Sequence, residues 1–309
     1  MSILKETLPH FFSDLQNTIC QKLESYEDTS FTQDPWKRDA GGGGLSCVVE
    51  NGSVFDKGGV NVSTIKGSPS SDNELSMFRT LCKQFNSPKF NLENSSYFAS
   101  GISLVLHPKN PYIPTVHMNY RYFELENEGN RIWWFGGGCD LTPYILDKDD
   151  AQHFHKTLKD TCDLSDPSYY PIFKQKCDNY FYIPHRNEHR GIGGIFFDYL
   201  HEKNPEHYVS LITQCGHAFL PSYIPILEKH IHTPYSDDEK KWQLYRRGRY
   251  VEFNLIYDRG TLFGLKTNGR VSSILMSLPS QVSWHYDEQS LSHQNNALMD
   301  VVSRPICWV

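Results

Sequence analysis

His117, Asn119 and Arg121 alternate along the run VHMNYRYFE at residues 116–124. A strand pleats with a period of two residues, so these three side chains share one face while Met118, Tyr120 and Tyr122 take the other. An imidazole, an amide and a guanidinium in a row are costly to bury without partners. The face is therefore a binding floor or a wet surface, and the nearby Trp133, Trp134 and Phe135 favour the floor. Asp140 follows Gly136, Gly137, Gly138 and Cys139, a stretch where backbone can approach a ligand closely. Its carboxylate reads two ways: as a helix cap or Asx turn with Thr142 and Pro143, or as a group facing a ligand's N–H donors.

Arginine is the second signal. Arg246, Arg247, Arg249, Arg259, Arg270, Arg121, Arg186 and Arg190 sit among aromatic and Gly residues rather than on Lys/Glu-rich faces. The planar guanidinium fork matches carboxylates, so the set suits an anionic ligand bearing several of them; surface ion pairing is the competing reading. Histidine is the third. His107, His117, His155 and His185 are weak candidates for a divalent metal site, since imidazole suits transition metals. No H-E-x-x-H helix is present, and His153 and His155 cannot share a helix face. The simpler reading makes His117 a proton donor beside Arg121.

These groups need a scaffold. Leu8, Phe12, Leu15, Ile19 and Leu23 recur at helical spacing. Four glycines, Gly41 to Gly44, lack the Lys-Ser/Thr of a phosphate loop and read as a hinge or close-approach segment. Asn51-Gly52 between two short apolar runs predicts a hairpin with a type I′ turn. A short helix over 74–84 and a strand over 97–107, with Ser103, Val105 and His107 on one face, precede the opening strand. Helices are expected over 148–162, 170–181, 205–230 and 237–246, then a strand over 250–257 where Val251, Phe253 and Leu255 alternate with polar residues. Strands cluster early and late with helices between them, which argues for α+β. One domain over residues 1–309 is expected, with residues 1–10 as a mobile N-terminus.

With 309 residues the chain can build a substantial core. A net charge of −6 and a pI near 6.1 disfavour nucleic acid as a partner. No apolar run reaches the roughly 20 residues of a membrane span. The N-terminal run resembles neither a signal nor an Arg-rich transit peptide, so a cytoplasmic location is expected. The 8 cysteines form no C-x-x-C pair and read as reduced thiols. No dinucleotide fingerprint is present around Gly191, Gly193 and Gly194.

WWFGGGCDLTP (133–143), HRNEHRGIGGIFFD (185–198), YRRGRYVEFNLIYDRGTLFGLKTNGRVSSILMSLP (245–279), VHMNYRYFE (116–124) and GGGGLSCVVENGSVFDKGGVNVS (41–63) resemble the signature blocks of oxygen-dependent coproporphyrinogen III oxidases. The resemblance implies a large, mainly antiparallel β-sheet flanked by α-helices on both faces. It implies oxidative decarboxylation of two propionates of coproporphyrinogen III to vinyl groups in haem biosynthesis, with O2 as co-substrate and no cofactor, releasing CO2 and H2O2. It assigns His117, Asp140 and Arg190 to catalysis, with His117 the proton donor and Asp140 and Arg190 holding pyrrole N–H groups and a propionate. It assigns Ser103, Asn119, Tyr120, Arg121, Asn268, Gly269 and Arg270 to substrate binding. A homodimer is implied, its interface near residues 46–55 and 250–286. Some relatives carry a divalent metal at positions matching His107, His117, His155 and His185. A non-catalytic polycarboxylate binder, or a metal-dependent oxygenase, are the alternatives the residues leave open.

Overall fold

The computed structural model describes residues 2–87, 90–266, 269–286 and 296–309. Seven strands form one antiparallel sheet in the order β1-β2-β3-β4-β5-β6-β9. They are β1 (Thr32–Lys37), β2 (Gly42–Glu50), β3 (Phe55–Gly67), β4 (Ser96–Pro108), β5 (Thr115–Asn127), β6 (Asn130–Thr142) and β9 (Gly193–Leu200). A two-stranded ribbon, β7 (Tyr182–Ile183) with β8 (Glu188–His189), lies apart from it. The helices α1 (Ser2–Glu24), α2 (Asp72–Gln84), α3 (Lys148–Asp163), α4 (Tyr169–Tyr180), α5 (Pro205–His217), α6 (Phe219–His230), α7 (Asp237–Ile256), α8 (Arg259–Lys266), α9 (Val271–Leu275) and α10 (Asn296–Ser303) complete the described chain. No helix among the described residues is long and apolar enough to cross a membrane.

Alternation sorts the sheet into two unlike faces. Ile102, Leu104 and Leu106 on β4, Val116, Met118, Tyr120 and Tyr122 on β5, and Ile195 and Phe197 on β9 form one apolar face. The helical stripe Leu8, Phe12, Leu15, Ile19 and Leu23 of α1 packs on it, together with apolar residues of α3, α5 and α6. Burying one Leu or Phe side chain there stabilises the fold by about 1.5–3 kcal/mol. The opposite face carries Ser103, His117, Asn119, Arg121, Gly136, Gly138 and Asp140. Helices cover parts of it. At one end Phe78, Leu81 and Cys82 of α2 pack on Tyr97, Leu125 and Ile132. At the other, Tyr250 of α7 meets His107 edge-to-face at 4.9 Å, and Ser273 of α9 bonds Ser46 and Asn61. The α+β architecture, with helices on both sheet faces, is the one expected.

Local expectations are corrected at several points. Residues 250–256 are the end of α7, not a strand. Ser236 caps that helix through a reciprocal box with Glu239, three acidic residues fill its first turn, and Tyr250, Phe253 and Asn254 are buried at helical spacing. The apparent alternation fails at Leu255, which is 43 % exposed. The hairpin turn is not type I′, because only Asn51 (φ 58°) has positive φ and Gly52 does not. The Glu27 carboxylate instead organises this loop, accepting from Ser53 Oγ, Val54 N and Phe55 N. Of the two readings of the glycine run, close approach is the one found: it enters strand β2, and a Cβ at Gly43 would stand 2.3 Å from the Trp36 carbonyl oxygen of β1. Residues 2–10 lie within α1, and the single helix expected over 205–230 divides into α5 and α6.

Candidate active site

His117 on β5 sits directly opposite Asp140 on β6. Its Nδ1 lies 2.7 Å from Asp140 Oδ1, and Arg190 Nη2 donates to Asp140 Oδ2 at 2.8 Å. Arg190 Nη1 in turn donates to Asn254 Oδ1 of α7 at 2.9 Å. Asp140 and Arg190 are buried, 2 % and 3 % exposed, whereas the His117 side chain keeps 23 % of its surface. Burial pushes the Asp140 carboxyl upward, but the Arg190 charge and the hydrogen bond from His117 outweigh burial and hold it below the usual carboxylate range. An ionised carboxylate only accepts hydrogen bonds, so the proton resides on His117 Nδ1 and Nε2 is the atom left for exchange. Arg190 is clamped between rings, 4.0 Å from the Phe181 centroid and 4.4 Å from that of Tyr250, which fixes its fork by cation–π attraction. The three side chains form one oriented chain: guanidinium, carboxylate, imidazole.

The floor continues along the strands. Ser103, Asn119 and Gly138 share one row across β4, β5 and β6, and Gly101, Arg121 and Gly136 share the next. Arg121 Nη1 donates to Asn119 Oδ1 at 2.5 Å, and Arg121 Nη2 donates to Asp198 Oδ1 of β9 at 2.9 Å. Arg259, the first residue of α8, lies 3.3 Å from Asp198 Oδ2 and stacks over Tyr180 and Phe196. Asp198 was not singled out as a site residue by sequence reasoning; its signal is a carboxylate ending the apolar run Ile195–Phe197. Tyr120, by contrast, points to the other face, where it is fully buried and stacks on Phe197 at 6.2 Å. A ligand on the floor meets only its backbone.

Arg270 lies toward the β1 edge of the same face, where Asp34, Ser46 and Asn61 continue the row of Ser103 and Asn119. Arg270 Nη2 donates to Asp34 Oδ2 of β1 at 2.5 Å, and strand spacing puts about 19 Å between β1 and β5. Gly269 N donates to Gly264 O at 2.8 Å, and Asn268 lies outside the described residues. Arg246, Arg247 and Arg249 are interior: Glu188 pairs with the first and third, and Asp56 with the second.

The four histidines do not converge on a metal. His107 is buried between Thr115 Oγ1 at 3.1 Å and Ser277 O at 2.8 Å. His155, in α3 beneath the other face, bonds Tyr170 Oη and Ile192 O. His185 bonds Tyr257 Oη and Glu252. Burial pushes His107 and His155 down to about 3, so both are neutral structural groups. Among the described residues, the one cluster of three ligand-type side chains is Asp147, Asp150 and His230. Lys229 Nζ already lies 2.6 and 2.8 Å from its two carboxylates and neutralises the charge a cation would need. The residues present do not fit the metal found in some relatives.

A sequence model of coproporphyrinogen III oxidase matches residues 7–308. The chain belongs to the coproporphyrinogen III oxidase family. The oxygen-dependent coproporphyrinogen-III oxidase of Drosophila melanogaster is 48% identical over 317 residues, covering 99% of this chain and 79% of the relative. The mitochondrial enzyme of Homo sapiens is 46% identical, covering 99% of this chain and 67% of its own length. The chloroplastic enzyme of Glycine max is also 46% identical, over 96% of this chain and 77% of the relative.

Proposed function

We propose that this chain is the oxidase its family membership indicates, converting coproporphyrinogen III to protoporphyrinogen IX. Each propionate, R–CH2–CH2–COO−, loses CO2 from its end carbon and a hydride equivalent from the carbon next to the ring. The hydride, two electrons with one proton, and a second proton from solvent pass to O2, giving R–CH=CH2, CO2 and H2O2. The electron-rich reduced pyrrole is the reductant, so the protein's tasks are to orient the propionate, exclude water and move protons. The observation that carries the site assignment is the His117–Asp140–Arg190 chain at the end of the floor. His117 Nε2 is the proton-transfer atom; Asp140 and Arg190 hold the imidazole's tautomer and angle. The Asp140 carboxylate keeps acceptor capacity beyond these two partners for a pyrrole N–H. Ser103, Asn119 and Arg121 supply polar contacts along the floor, and Asn268, Gly269 and Arg270 are kept as substrate contacts by the family resemblance.

Residues 1–309 act as one catalytic unit, and the protein works as a homodimer. Supporting the dimer, Ile256, Val271 and Trp284 are all more than half exposed within the 250–286 stretch. Within 46–55 most side chains are interior, so that stretch contributes through the strands around it. Eight free cysteines fit a reducing compartment, here taken as the cytoplasm. The test is to incubate the protein with coproporphyrinogen III with and without O2 and follow protoporphyrin fluorescence after chemical oxidation of the product. Signal that requires O2 supports the reading; conversion under argon, or none in air, contradicts it.

A further inference from the structure

Strand β9 contains a defect. Leu200 pairs with Phe135 and Phe197 with Gly137, so two residues, Asp198 and Tyr199, face the single residue Gly136. Tyr199 adopts φ 57°, a left-handed conformation costly for a bulky side chain. Bulges of this kind re-aim side chains, and strain persists where the surrounding structure enforces it. Here the re-aimed side chain is Asp198. It crosses β6 above Gly136, where a Cβ would stand 2.7 Å from Asp198 Oδ1 and 3.1 Å from Arg121 Nε. Only the missing side chain at 136 lets a carboxylate on β9 reach a guanidinium on β5. Its second oxygen faces Arg259, whose side chain is 53% exposed.

We propose that Asp198 is a positioning residue that gathers Arg121 and Arg259 into a seat for one substrate carboxylate. Two guanidinia against one carboxylate leave a single positive charge in excess, which one propionate neutralises. The seat lies four residues along β5 from His117, about 13 Å at strand rise. The propionate it holds is therefore not the one reacting beside His117 but one on the far side of the macrocycle. Contacts that remote hold ground state and transition state alike, so they act on KM and not on kcat. This inference rests on the proposed function, because it takes the anionic ligand to be coproporphyrinogen III.

Steady-state kinetics of Asp198→Asn and Gly136→Ala test it. Each should raise KM for coproporphyrinogen III about tenfold with kcat kept within about twofold, the second by steric displacement alone with no charge removed. A merely structural Asp198 would instead lower the active fraction, so kcat per total enzyme would fall at constant KM. That result, or unchanged kinetics in Asp198→Asn, overturns the seat while leaving the proposed function standing. A wild-type protein that fails to convert coproporphyrinogen III removes the reading beneath both. Should Asp198→Asn not fold, Arg259→Gln at its exposed position decides: a raised KM supports the seat and an unchanged KM overturns it.

Discussion

Replacing Asp140 by Asn removes one charge and changes little else in size. Arg190 cannot lose its proton, so the new amide must turn its oxygen toward that guanidinium. Its NH2 group then faces His117 Nδ1, at the position where the carboxylate oxygen stood 2.7 Å away. A donor there requires Nδ1 to be the acceptor, which moves the imidazole proton to Nε2 and inverts the tautomer the site needs. The lost charge-assisted bond alone predicts a kcat drop of about 10²-fold, and the tautomer inversion extends it toward about 10⁴-fold. Stability falls too, because Arg190 is left as a buried unpaired charge, a loss of about 3–5 kcal/mol. The pH dependence has a definite sign. The Asp140 carboxyl is depressed in the folded protein, so its contribution is complete above the unfolded value near 3.9 and fades as pH falls through the folded value. The Tm gap between wild type and Asp140→Asn is thus widest at neutral pH and narrows below about pH 4. The assay is CO2 release under substrate saturation, with Tm recorded across the same pH range. A variant with wild-type kcat would refute the orienting role of Asp140.

Other outcomes follow from the same geometry. A strong chelator should leave turnover unchanged, since the four histidines are committed to separate hydrogen bonds; loss of activity restored by an added divalent ion would contradict this. His107 and His155 stay neutral in the fold but protonate when unfolded near pH 6.5, so each should cost about 1.4 kcal/mol of stability per pH unit as pH falls from 6.5 toward 3. Denaturant titrations of His107→Asn against wild type over that range read the difference in slope. Ser236→Ala removes the cap of α7 and should lower stability by about 1 kcal/mol while kcat holds, checked by urea melts and turnover together.

The floor was legible in sequence because period two is a strong signal: His117, Asn119 and Arg121 must share a face in any strand, and they do. The pairing of His117 with Asp140 was not, since register between strands depends on the whole sheet. Asp198 escaped for a sharper reason. Its reach depends on a bulge at Tyr199 and a missing Cβ at Gly136, and neither leaves a trace in local periodicity. Helix α7 misled because Val251, Phe253 and Leu255 mimic a strand over a window shorter than two helical turns, while its start signal lies at Ser236, outside that window. The arginines were read as one set suited to an anionic ligand, but their distribution is not one cluster. Arg190 and Arg121 reach the floor, Arg246, Arg247 and Arg249 brace α7, and Arg270 turns to the β1 edge.

The most direct test of the central claim measures CO2 release and O2 uptake together, for wild type and for His117→Gln, with coproporphyrinogen III supplied under saturation. The wild type should consume one O2 for each CO2 released, and His117→Gln should bind the substrate while releasing almost none. CO2 released without O2 uptake, or a His117→Gln variant as fast as wild type, would contradict an oxidative decarboxylation run through His117.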